Sequence, residues 1–127
     1  MKEHFLSYEQ ALAVKELGFD KPCFGYYSNS KEHMCEIWYE MSNKGQDYIP
    51  VGDVLAPLKQ QVFKWFRDKH GIKPQITTTY DEWDFYIPTS KYNEIQIRQG
   101  SDIWTYEQAE DACIDKLIEL IKNKNDE

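Results

Sequence analysis

Two copies of one punctuation mark sit near the ends of this 127-residue chain. The strings Ser7-Tyr8-Glu9-Gln10-Ala11 and Thr105-Tyr106-Glu107-Gln108-Ala109 each place a hydroxyl residue three positions before a glutamine. In a capping box that hydroxyl accepts the third helical amide, while the glutamine side chain reaches back to the capping residue's own amide. Leu6 and Trp104 precede the caps, and Ala11 and Ala109 follow at hydrophobic-staple spacing. A cap of this kind stabilises a helix by about 1 kcal/mol, so its reuse is explained by folding without any shared chemistry. Whatever lies between, the chain must accommodate a helix near each end.

The periods that follow the caps agree. The first helix is expected over Tyr8 to Leu17, stopped by Gly18; Leu12 and Leu17 fall on different sides of it, which implies burial on more than one face. The last is expected from Thr105 to about Lys122. Tyr106, Ala109, Cys113, Leu117, Leu120 and Ile121 form its apolar stripe, with Glu107, Asp111, Asp115, Glu119 and Lys122 opposite. A third helix is written in the middle: Pro57 suits its first turn, Leu58, Val62, Trp65 and Phe66 share a face, and Gly71 stops it. The first and middle helices leave alike, by glycine and then proline (Gly18 and Pro22, Gly71 and Pro74).

Each exit leads into strand-like sequence. Cys23 to Tyr27 and Met34 to Glu40 follow the first helix; Gln75 to Tyr80, Trp83 to Ile87 and Glu94 to Arg98 follow the middle one. Trp83, Phe85 and Ile87 alternate with Asp84 and Tyr86, and Ile95 and Ile97 with Gln96 and Arg98, which suits antiparallel strands wetted on one face. The expected order is therefore αββαβββα. The expected fold is an α+β two-layer sandwich, three helices on a mostly antiparallel sheet, forming one domain over residues 1–127 with the loop Ser42 to Gly52 as its flexible insertion. A chain of this length buries roughly two thirds of its unfolded surface, enough for one core. The paired caps and exits also fit an ancient αββ duplication, but the strands between them do not match in sequence.

Charge narrows the partners. The net charge of −7 opposes generic nucleic-acid binding, which rewards clustered Lys and Arg. The stretch from Val54 to Pro74 runs the other way, with Lys59, Lys64, Arg67, Lys69 and Lys73 against Asp68. Three cysteines, Cys23, Cys35 and Cys113, have no CxxC spacing, and no early apolar run resembles a secretory segment, so a reduced, cytoplasmic setting is expected. No apolar stretch approaches the roughly 20 residues of a membrane span, and no membrane partner is expected.

Chemistry-bearing patterns are sparse. His33 and Cys35 would share a strand face, but two potential ligands do not make a zinc site, and His4 and His70 lack ligand spacing. Cys113 lies on the apolar stripe of the last helix and Cys23 beside aromatic residues, so packing is the expected role of both. Asp81, Glu82 and Asp84 around Trp83 admit an acid–base pair, although a solvated turn and strand face explains them more simply. The six glycines form no phosphate-binding loop. No catalytic, cofactor-binding or metal-ligating residue is assigned, and an enzyme is the less expected reading.

Two surfaces stand out as candidate partner-binding sites. The outer face of the middle helix offers Lys59, Gln60, Lys64, Arg67 and His70 together, suited to phosphate or to an acidic partner; the plainer alternative is a solvated face balancing acidic neighbours. The second is aromatic. Tyr26 with Trp38, or Tyr39 with Tyr86, would form an exposed stacking platform if only one sheet face packs on helices, against the alternative that these rings simply fill a core.

Three segments, Ser7 to Tyr27, Ala56 to Ile72 and Tyr106 to Lys122, cover about half the chain and resemble small uncharacterised proteins encoded by Bacteroides-type bacteria and their phages and prophages. The region between Ile76 and Gly100 matches less clearly. The resemblance implies a mobile-element origin and a cytoplasmic host setting, and it brings no catalytic residue. The expected function is that of a non-enzymatic accessory or interaction protein with a protein partner, a homo-oligomer being one possibility. The alternatives are nucleic-acid engagement, through the basic middle helix or by acidic DNA mimicry, and an enzyme or small-ligand module with an unfamiliar site.

Overall fold

The computed structural model describes residues 4–28, 34–37, 53–79, 82–88, 96–98 and 105–125. In chain order these form α1 (Tyr8–Glu16), β1 (Gly25–Tyr27), β2 (Met34–Ile37), β3 (Val54–Leu55), α2 (Lys59–His70), β4 (Gln75–Thr79), β5 (Glu82–Pro88), β6 (Gln96–Arg98) and α3 (Tyr106–Asn125). The class is α+β, with every strand pairing antiparallel. The order follows the sequence pattern, with the two-residue β3 added before α2. The strands make two three-stranded sheets, and the chain divides into two compact units, Met1–Gln61 and Val62–Glu127, a boundary that falls inside α2. The expected loop from Ser42 to Gly52 lies outside the described residues. Among the described residues no helix is long and apolar enough to cross a membrane.

In the first unit both arms of the capping box are formed: the Gln10 amide donates to Ser7 Oγ at 3.2 Å, and the Ser7 amide to Gln10 Oε1 at 3.1 Å. At the other end of α1, Gly18 adopts φ 104° and a Schellman pair closes the helix, Gly18 N to Lys15 O at 3.0 Å and Phe19 N to Val14 O at 2.9 Å. Buried Phe19 thereby meets the turn that carries buried Val14. The sheet order is β2-β1-β3, with a register shift between Tyr26 and Tyr27. α1 lies against β3. The segment ahead of α1 pairs with the one ahead of α2, through a Phe5–Leu58 bridge and a 3.0 Å bond from Leu6 N to Pro57 O. Pro57 thus precedes α2 rather than opening it. The N-terminal end of the helix is held instead by Gln61, whose Oε1 accepts the Leu58 amide at 2.9 Å while its Nε2 donates to Pro22 O at 2.8 Å.

The second unit carries a meander, β4-β5-β6, whose middle strand alternates as its sequence does. Phe85 and Ile87 are fully buried, while Asp84 and Tyr86 are half-buried on the opposite face. α3 lies along β5 and β4. Its own cap matches that of α1, with Gln108 N to Thr105 Oγ1 at 3.1 Å and Thr105 N to Gln108 Oε1 at 2.9 Å. The buried stripe of α3 runs through Ala109, Cys113, Leu117 and Ile121, flanked by Ile114 and Ile118. Tyr106 and Leu120, assigned to this stripe from the sequence, differ: Tyr106 is 36% exposed and Leu120 half-buried. The i, i+4 row from Ala109 drifts away from both positions, so Ile114 and Ile118 fill the flank instead.

Candidate functional site

α2 separates its residues more sharply than its sequence does. Val62, Phe63, Trp65 and Phe66 are buried, and Gln60, Lys64, Arg67, Asp68 and Lys69 are exposed. Lys59 does not belong to the outer face assigned to it from the sequence: it is only 3% exposed. The reason is helical spacing, since residues three, four and seven positions on are the buried Val62, Phe63 and Phe66. Lys64 and Arg67 do face water. Lys64 is tied one turn on to Asp68, both side chains remaining more than 60% exposed (68% and 62%), so the pair contributes little to stability.

His70 also leaves the outer face. Four residues beyond Phe66, its ring turns inward, with centroids 5.0 Å from the Trp65 ring, edge-on, and 5.8 Å from the Phe66 ring. Its Nε2 is buried and has no hydrogen-bond partner among the described residues. Lys69 Nζ stands over the Trp65 ring, 5.6 Å from the centroid. Burial lowers the His70 pKa from the ordinary imidazole value, and the cations of Lys69 and of Lys124, from the last turn of α3, lower it further. Gly71 then ends the helix at φ 67°, donating to Arg67 O at 3.1 Å, a left-handed cap that L side chains adopt only at a cost.

The aromatic candidates part company. Tyr26 and Tyr86 are half-buried on β1 and β5; Trp38 and Tyr39 lie outside the described residues. In register, Tyr26 stands opposite Glu36 and Leu55, and Tyr86 opposite Gln75 and Arg98. Other members of the aromatic set pack inward. Tyr27 is buried and donates its hydroxyl to Leu6 O at 2.6 Å, with the Tyr8 ring edge-on at 5.9 Å. Burial raises its pKa, and Glu9 raises it further. Phe85 is fully buried, and Trp83 packs edge-on against Tyr106 at 5.0 Å.

The thiols behave as packing groups. Cys23 and Cys113 are free and fully buried, and burial pushes each up to about 12, with Glu110 adding to the shift at Cys113. Neither supplies a thiolate near neutral pH. Asp84 accepts the Phe85 amide at 2.7 Å, Glu82 is exposed, and Asp81 lies outside the described residues, as does His33, the proposed companion of Cys35. Among the described residues no three His, Cys, Asp or Glu side chains converge as a metal site. The sequence reading had not singled out Gln61 or the ring contacts of His70. The i, i+4 spacing of Phe66 and His70, and of Trp65 and Lys69, was the available signal for the latter. No family model, curated protein or solved structure matches this chain.

Proposed function

We propose that this is a non-enzymatic, cytoplasmic interaction protein of a phage or mobile element, and that the solvent face of α2 takes part in holding a macromolecular partner. The observation that carries the reading is a set of exposed cations without compensation. Arg67 and Lys69 in the last turn of α2, Lys73 three residues beyond it, and Lys122 and Lys124 in the last turn of α3 have no ion pair among the described residues, in a chain whose net charge is −7. An acidic protein has carboxylates to spare for pairing, and exposed cations left unpaired at helix ends offer complementary charge to an anionic partner. The mobile-element setting is supported by the likeness of three segments to small proteins of Bacteroides-type bacteria and their phages.

The test is capture from lysate of a Bacteroides-type host, using the intact chain and a Lys64→Glu/Arg67→Glu variant of unchanged melting temperature. A specific protein retained by the first and lost by the second is the expected result. Recovery of nothing above background, or of the same proteins by both chains, overturns the reading.

A further inference from the structure

His70 closes the inner side of the last turn of α2. Its ring lies edge-on to Trp65, 5.0 Å between centroids, and 5.8 Å from Phe66, and those two residues are only 4% and 0% exposed. The buried Nε2 has no hydrogen-bond partner among the described residues. For a neutral imidazole this is one unmade bond, of modest cost. An imidazolium carries a proton to donate on both nitrogens, so the same position would bury a charged donor without an acceptor, at a far larger cost. Lys69 Nζ already stands over the Trp65 ring, 5.6 Å from its centroid, and an imidazolium against that ring would add a second cation to it. The charged groups that act on the imidazole, Lys69 on α2 and Lys124 on α3, both oppose a further positive charge. Solvent is close at hand. His70 as a whole is half-buried at the end of the helix, and a Cβ built on the exposed Gly71 beside it would meet nothing within 4 Å. A helix dipole favours a cation at that end once the ring is outside.

We propose that the last turn of α2 is an acid-sensitive latch: neutral His70 stays closed on Trp65 and Phe66, and protonation swings its ring out to water, uncovering the Trp65 ring. The closed state holds at neutral pH, where ring packing favours it and no proton has to be accommodated. The open ring, in water, binds the proton more tightly than the closed one, so falling pH draws the equilibrium outward. Opening comes below the ordinary imidazole range, because the closed ring resists its proton. The movement is a side-chain rotation and leaves the backbone closure of the helix, Gly71 N to Arg67 O at 3.1 Å, in place. The latch stands without the reading of α2 as a partner surface, and adds to it a pH-dependent change in what the end of that helix shows to solvent.

The experiment titrates the ring protons of the intact chain by NMR from neutral to mildly acid pH, with His70 identified by its loss in His70→Gln and Trp65 by its loss in Trp65→Phe. Cross-relaxation peaks between the His70 ring and the rings of Trp65 and Phe66 are expected at neutral pH. They are expected to vanish as His70 titrates, while the amide spectrum of α3 stays dispersed. In His70→Phe the Trp65 indole resonances should lose their pH dependence over that range. His70→Leu, checked by a dispersed amide spectrum, serves the same purpose if the phenylalanine disturbs folding. Peaks that persist through the titration show a ring protonated in place and overturn the latch, and peaks already absent at neutral pH overturn it too. So do Trp65 resonances that move alike in the native chain and in the variant. Collapse of the α3 amides over the same pH range also overturns it, since that is unfolding of the unit rather than release of one side chain.

Discussion

Single residues in this protein take their properties from the neighbours that helix and strand spacing gives them. Cys23 and Cys113 carry the same side chain as any reactive cysteine, yet full burial holds both protonated, up to about 12. Neither should be alkylated by iodoacetamide near neutral pH until denaturant is added, as intact mass and peptide mapping would show; modification of either in the folded protein contradicts the packing role. His70 titrates in the opposite sense. Its folded-state pKa lies below that of the unfolded chain, so the unfolded state binds the extra proton first. Its contribution to stability is complete above the ordinary imidazole range and is lost as pH falls through the lowered folded value. The urea midpoint of the native chain should therefore drop more between neutral and mildly acid pH than that of His70→Gln, and equal slopes would remove the histidine from the account. Both thiols were legible as core from the sequence, because helix period and aromatic neighbours mark them. Lys59 and His70 were not: each was assigned by residue type to a wet face, and each lies on the rows of Phe63 and Phe66.

At the scale of the element, the ends of the helices were the most legible part of the chain, because capping is chemistry between residues three or four apart and needs no tertiary partner. Both capping boxes form, and both glycine stops adopt positive φ. Ser7→Ala and Thr105→Ala should each cost about 1 kcal/mol in chemical denaturation, and nearly additively, since the two caps belong to different units. A cost near zero at Ser7 would mean that burial of Leu6 and Ala11 alone fixes the start of α1. The two stops differ in detail, a Schellman pair after α1 and, after α2, a left-handed closure from Gly71 N to Arg67 O with Ile72 N reaching Phe66 O at 3.4 Å. Sequence foresaw the glycines but not which closure each would use. The start of α2 was read from Pro57, yet depends on Gln61 bridging to Pro22, a contact between segments far apart in the chain.

For the whole molecule, the two sheets differ in strand order. In the first unit the central strand is the earliest of the three, β1; in the second it is the middle one, β5. The difference lies in the third strand, since β3 adds beside β1 and β6 beside β5, while β1 with β2 and β4 with β5 are antiparallel neighbours in both units. The second unit should depend on the side chains sealed beneath α3. Leu117→Ala, at a fully buried position, is expected to cost about 2–5 kcal/mol in urea unfolding. A cost below about 1 kcal/mol, the range of ordinary surface changes, would contradict burial of the α3 stripe.

The sequence by itself determined the helices, their caps and stops, the α+β class and the order of elements, because each depends on contacts within a few residues along the chain. Only the tertiary structure decided that the strands divide into two sheets and that Gln61, at the start of α2, reaches back to Pro22. Those outcomes depend on which residues distant in sequence share a desolvated neighbourhood, and periodicity marks which face of an element is apolar without saying what will cover it.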